Sequence, residues 1–118
     1  MGRMGSAILR LASQNKKAFA PTLAIESARH AGVGRNVGEV NPELIGLSRM
    51  ILKTADHADW KGLDVLIDFT APSATVEHAK LCARNGVAMV IGTTGCKKEE
   101  IARIRAAAAR VPIVMASN

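Results

Sequence analysis

Residues 64–95, DVLIDFTAPSATVEHAKLCARNGVAMVIGTTG, decide the fold. With Leu63, the stretch opens on a nearly continuous apolar run that closes at Asp68, the pattern of a strand buried on both faces of a sheet. APSATVEHAKLCARNG then has helical periodicity, with Ser73 as a candidate cap and Gly86 as a C-terminal stop. VAMVIGTTG is a second buried strand that runs into a glycine turn. Strand, helix and strand in this order indicate a parallel sheet covered by helices.

Working outward, KKEEIARIRAAAARV (97–111) reads as a charged, Ala-rich helix and PIVMAS (112–117) as a last strand. Upstream, SAILRLASQ (6–14) is an amphipathic helix with Ile8, Leu9, Leu11 and Ala12 on one side. TLAIE (22–26) is a short buried strand ending on Glu26. The glycine-rich stretch 27–46 reads as a long irregular loop. RMILKT (49–54) follows as a strand, and ADHADW (55–60) as one helical turn that Asp56 is placed to cap. The expected class is α/β: a Rossmann-type parallel sheet with flanking helices, its first strand missing.

Composition agrees with one domain of this kind. Of the 118 residues, 48% are hydrophobic but only 3% aromatic, so the core must be built from Val, Ile, Leu, Ala and Met. No apolar run approaches the roughly 18 residues of a membrane span, and the first residues lack the apolar stretch of a secretory signal. The expectation is a soluble, cytoplasmic protein without membrane contact. The formal charge of +6 is spread along helix faces, with no interleaved aromatics to stack on bases, which argues against nucleic acid as a partner. Cys82 reads as a small buried hydrophobe and Cys96 as a thiol after a turn; their number and spacing suit neither zinc nor a redox pair.

In an open parallel sheet, ligands bind beyond the carboxyl ends of the strands. Gly2-Arg3-Met4-Gly5 enters the first helix as the second half of a phosphate-binding glycine turn would. There, backbone amides and the helix N-terminus favour an anion. Glu26 ends the next strand about 20 residues beyond Gly5, where an acid that holds a ribose diol belongs. DFT and GTTG place hydroxyls and free amides at two further tips, and ASN at another. His30, His57 and His78 read as surface or packed histidines rather than bases. No triad or metal-ligand spacing is present, so no residue is given a catalytic or metal-binding role.

GRMG (2–5), the stretch 64–95 and PIVMASN (112–118), in that order, closely resemble the 4-hydroxy-tetrahydrodipicolinate reductases, also called dihydrodipicolinate reductases. The resemblance spans nearly the whole chain and is weakest over residues 31–62. It implies a usually tetrameric cytoplasmic enzyme of lysine and diaminopimelate biosynthesis. An N-terminal domain binds NADH or NADPH, and a C-terminal domain binds a small dicarboxylate substrate. By position, Gly2, Arg3 and Met4 would end the pyrophosphate loop and Glu26 would hold the adenosine ribose. Phe69 and Thr70 would lie along the cofactor, with Gly92, Thr93 and Thr94 at its nicotinamide end. Ala116, Ser117 and Asn118 would begin the segment that closes over it. Ser27 stands where some family members carry an arginine for a 2′-phosphate.

The family's loop begins with a strand and a further glycine that have no counterpart before Gly2, and its substrate-binding histidines and lysine have none here. The expectation is therefore residues 1–118 as a partial dinucleotide-binding domain, cut at both ends and inactive by itself. A second reading is a stand-alone nucleotide-binding or regulatory module without catalysis, and a third is another Rossmann oxidoreductase such as an aspartate dehydrogenase, against which the pairing of DFT with GTTG argues.

Overall fold

In the computed structural model, residues 1–116 are described, and they fall into two units, 1–59 and 60–116. In the first unit, helix α1 runs Arg3–Gln14, three residues longer at its start than the sequence suggests. Gly2 is the extended residue before it (φ −73°, ψ 169°), and Ser6 N–H donates to the Gly2 carbonyl at 3.0 Å. Gly5 thus lies in the first helical turn rather than in a loop. One glycine costs a helix only about 1 kcal/mol, and the strong helix formers Ala7, Leu9, Arg10 and Leu11 follow it. Leu9 packs on a small core of Ala24, Val37, Leu44, Met50 and Leu52. Leu11, expected on the same face, is 61% exposed.

Strand β1 (Ala24–Ile25) pairs in parallel with β2 (Leu52–Lys53), each much shorter than the sequence pattern suggests. Between them the expected irregular loop is in part helical. Helix α2 spans Val37–Val40, and a 3-10 segment spans Pro42–Leu47, begun by Asn41, whose side chain accepts from Glu43 N–H. Burial of Val37 and Leu44 outweighs the glycines around them. The turn Ala55–His57 also forms, but it is preceded by Thr54; Asp56 lies inside it and does not cap it.

In the second unit, β3 (Val65–Asp68), β4 (Ala88–Ile91) and β5 (Ile113–Met115) form a parallel sheet in the order β3-β4-β5. The register pairs Leu66 with Met89, Asp68 with Ile91, and Ile91 with Met115. Helix α3 (Pro72–Asn85) connects β3 to β4, and α4 (Lys98–Ala108) connects β4 to β5. Ala71, not Ser73, precedes α3. Pro72 takes the first helical position, where a missing N–H costs nothing. Gly86 ends α3 at φ 69°, a left-handed conformation that glycine adopts without strain. At the start of α4, Lys97 N–H donates to the Glu100 carboxylate at 2.7 Å.

The apolar run of β3 was expected to be buried on both faces, and it is not. Leu66 and Asp68 are buried, whereas Val65 is 50% and Ile67 44% exposed. Leu66, Met89 and Ile91 share the core with Val76, Ala79 and Cys82 of α3 and Ile104 and Ala107 of α4. Val65, Ile67, Val90 and Val114, which point the other way, are exposed. Each buried side chain of this size contributes roughly 1.5–3 kcal/mol, so the helix-covered face carries the stability of this unit.

Candidate functional site

In residues 1–59 the candidates gather at the start of α1 and the end of β1. No side chain caps α1 and no acid lies in its first turn. Its leading amides are therefore open to an anion. Gly2, Arg3 and Met4 are exposed there. Glu26 is held on both oxygens: Oε1 accepts from Ser27 N–H at 2.9 Å, and Oε2 lies 3.5 Å from the Met1 ammonium. His30 Nε2 touches the same ammonium, and His30 Nδ1 accepts from Gly32 N–H at 2.9 Å. The structure thus brings Glu26 next to Met1, the residue before Gly2.

In residues 60–116 the candidates occupy the carboxyl tips of the parallel strands. The ladders run on into the tips, with Gly92 N–H donating to the Asp68 carbonyl at 2.8 Å and Ala116 N–H to the Ile91 carbonyl at 3.0 Å. Phe69, 40% exposed, lays its ring against Gly92, where an added Cβ would stand 2.0 Å from Phe69 Cε1. Only glycine fits there while the ring keeps this position. Thr70, Thr94 and Ala116 are exposed beside them, and Thr93 is 2% exposed. Ser117 and Asn118 lie outside the described residues.

Beneath these tips lies a polar cluster that sequence reasoning did not assign to the site. Asp68, 2% exposed, accepts through Oδ1 from Thr70 N–H (2.9 Å) and from the Thr70 hydroxyl (2.6 Å). Its Oδ2 lies 3.1 Å from His78 Nδ1. Thr70 N–H also reaches Thr93 Oγ1 at 3.0 Å, and the fully buried Thr75 donates its hydroxyl to Thr93 Oγ1 at 2.8 Å. Burial pushes the Asp68 carboxyl up. The hydrogen bonds from His78 and Thr70, with the nearby imidazole charge and Thr75, more than offset it and hold the group below its ordinary value of 3.8. The signal was present in the sequence: one acid ends an apolar strand, and the next helix carries Thr75 and His78 three residues apart on one face.

His78 is thus packed against Asp68 rather than placed at the surface. Cys82 is a buried free thiol pushed up to about 11 by burial and by the Asp68 charge. Among the described residues, no group of three or more His, Cys, Asp or Glu side chains is placed to hold a metal ion, and no helix is long and apolar enough to cross a membrane. A groove of about 370 Å³ between α3 and α4 is lined by Lys80, Arg84, Arg103 and Arg110, none of them a candidate.

Parallel strands joined by crossover helices, with glycine and hydroxyl residues at their carboxyl tips, define a Rossmann-type nucleotide-binding domain. Residues 1–118 match the family described as "Dihydrodipicolinate reductase, N-terminus", and the chain belongs to that family. A 4-hydroxy-tetrahydrodipicolinate reductase of Acinetobacter baumannii is 41% identical over 119 residues, which cover 99% of this chain and 41% of that protein. One from an Anaeromyxobacter species is 40% identical over 119 residues, covering 99% and 42%. One from Buchnera aphidicola is 35% identical over 120 residues, covering 100% and 43%. The chain spans about two fifths of the length of these curated relatives.

Proposed function

We propose that this chain is the dinucleotide-binding part of an NADH- or NADPH-dependent 4-hydroxy-tetrahydrodipicolinate reductase of lysine and diaminopimelate biosynthesis. The observation that carries the proposal is the set of strand tips in residues 60–116. There the partly exposed Phe69 ring lies on Gly92, and Thr70 and Thr94 are exposed beside it. A nicotinamide dinucleotide suits this donor set, with an apolar ring face next to groups that hydrogen-bond an amide or phosphate. When bound, the cofactor supplies a hydride for reduction of the substrate's C=N system.

In residues 1–59, the amides of Arg3 and Met4 at the α1 N-terminus take the pyrophosphate, and the Arg3 guanidinium adds a charge-assisted contact. Glu26 accepts from the hydroxyls of the adenosine ribose. The same carboxylate repels a 2′-phosphate, so NADH is expected to serve at least as well as NADPH. In residues 60–116, Phe69 and Thr70 lie along the cofactor, Gly92, Thr93 and Thr94 hold its nicotinamide end, and Ala116, Ser117 and Asn118 lead into the segment that covers it. Cofactor binding and cofactor orientation are the work of this chain. The dicarboxylate substrate, its proton donor and the assembly into a tetramer belong to the complete enzyme. The 118 residues alone are therefore expected to bind cofactor without turnover.

Calorimetric titration of the chain with NADH and with NADPH, alongside an assay with freshly generated substrate, tests this. Saturable binding with no turnover above background is the expected result. Absence of binding to either dinucleotide would refute the assignment.

A further inference from the structure

The tips of β3 and β4 are held by a largely buried hydrogen-bond network that joins Asp68, Thr70, Thr75, His78 and Thr93. The Thr70 hydroxyl gives its proton to Asp68 Oδ1 at 2.6 Å, and the Thr75 hydroxyl gives its own to Thr93 Oγ1 at 2.8 Å. Thr70 N–H lies between the two acceptors, 2.9 Å from Asp68 Oδ1 and 3.0 Å from Thr93 Oγ1. Asp68 Oδ2 is closed off by His78 Nδ1 at 3.1 Å. Thr93 Oγ1, on a residue 2% exposed, therefore spends both acceptor sites inside the protein. Helix α3 supplies Thr75 and His78, so the rigid helix, rather than the loops, fixes the direction of both tips.

From this geometry we infer that Asp68, Thr75 and His78 are positioning residues for the dinucleotide. They touch no ligand. By holding Thr70 and Thr93 they fix the backbone of both tips, so that the tips meet the cofactor with little reorganisation on binding. The inference rests on the reading that these tips hold a nicotinamide dinucleotide.

The test compares Thr75→Val, Thr75→Ser and His78→Ala with the unaltered chain. Three readouts are the NADH dissociation constant, the melting temperature, and amide hydrogen exchange at Thr70 measured against ladder amides such as that of Val90. Thr75→Val keeps the buried shape and removes only the hydroxyl. It is expected to weaken NADH about tenfold and to speed Thr70 exchange about tenfold while Val90 is unchanged. Thr75→Ser restores both to within about threefold. His78→Ala, which removes the Asp68 Oδ2 partner from a side chain 12% exposed, is expected to move both readouts the same way should Thr75→Val fail to fold. A purely structural role would lower the melting temperature yet leave the affinity of the folded chain and the relative Thr70 exchange unchanged, and that result overturns the inference. If the unaltered chain binds neither NADH nor NADPH, the functional reading fails. Thr70 exchange then decides the positioning claim alone: faster in both variants supports it, unchanged in both overturns it.

Discussion

The Phe69 ring rests on Gly92, and a Cβ added to Gly92 would stand 2.0 Å from Phe69 Cε1 and 2.2 Å from Cζ. The obstacle is a partly exposed side chain, not backbone, so Gly92→Ala can be accommodated by swinging the ring outward. The cost to stability is that of a displaced rotamer, about 0.5–1.5 kcal/mol. The expected cost to function is larger, because the ring leaves the surface proposed to face the cofactor. NADH affinity is expected to fall about tenfold or more while thermal unfolding shifts only modestly. Unfolding of the variant at room temperature, or unaltered affinity, would show that this contact does not shape the binding surface.

The buried Asp68 sets a pH dependence whose sign is fixed. Its carboxyl is held below 3.8 in the folded chain, so the folded state binds its proton less readily than the unfolded state does. The stabilisation is fully present above the unfolded value of about 3.9 and is lost as pH falls through the lower folded value. Chemical unfolding of the chain and of Asp68→Asn from pH 7 to pH 3 measures this. The difference between the two should be constant above about pH 5 and shrink below about pH 4. A difference that grows on acidification would contradict the charged state assigned to Asp68.

Cofactor choice follows from Glu26, whose Oε1 is fixed by Ser27 N–H at 2.9 Å. In the proposed reading this fixed carboxylate lies beside the ribose, where it favours a diol and opposes a phosphate. Glu26→Gln is expected to improve NADPH binding relative to NADH by several-fold, since like charges within a few ångströms are worth on the order of 1 kcal/mol even near solvent. The ratio of the two dissociation constants in each protein is the measurement. An unchanged ratio would remove Glu26 from the ribose site.

Much of residues 60–116 was legible because each element carries its own signal. The apolar runs of β3 and β4, Gly86 after α3 and the Ala-rich α4 were all found in place. One-sided burial of β3 was not legible, since an apolar run does not say how many faces are covered. Residues 27–46, expected as an irregular loop, were misread for a different reason. Glycines and Pro42 punctuate the stretch, yet Val37, Leu44 and Met50 are spaced to meet one small core, and that long-range packing overrides local punctuation. In the candidate site, the exposed tips were readable as motifs. The cluster beneath them was not, because Asp68, Thr75, His78 and Thr93 meet only after helix and strands have packed.

Local stability should divide along the same line. A two-residue ladder holds residues 1–59, while ladders of four and three residues with packed helices hold the remainder. Amide exchange is expected to be slow after about Leu63 and fast before about Gly62, as short two-stranded pairings are marginal in water. Uniform, cooperative protection along the chain would contradict this division.

The central claim is that the strand tips hold a nicotinamide dinucleotide, and a titration of the isotope-labelled chain with NADH followed by amide resonances tests it most directly. Saturable shifts are expected at Thr70, Gly92, Thr93 and Thr94, together with Arg3, Met4 and Glu26, while the helix amides of Lys80, Arg84 and Arg103 stay in place. Shifts confined to those basic helix positions, or no saturable shift at millimolar NADH, would contradict it.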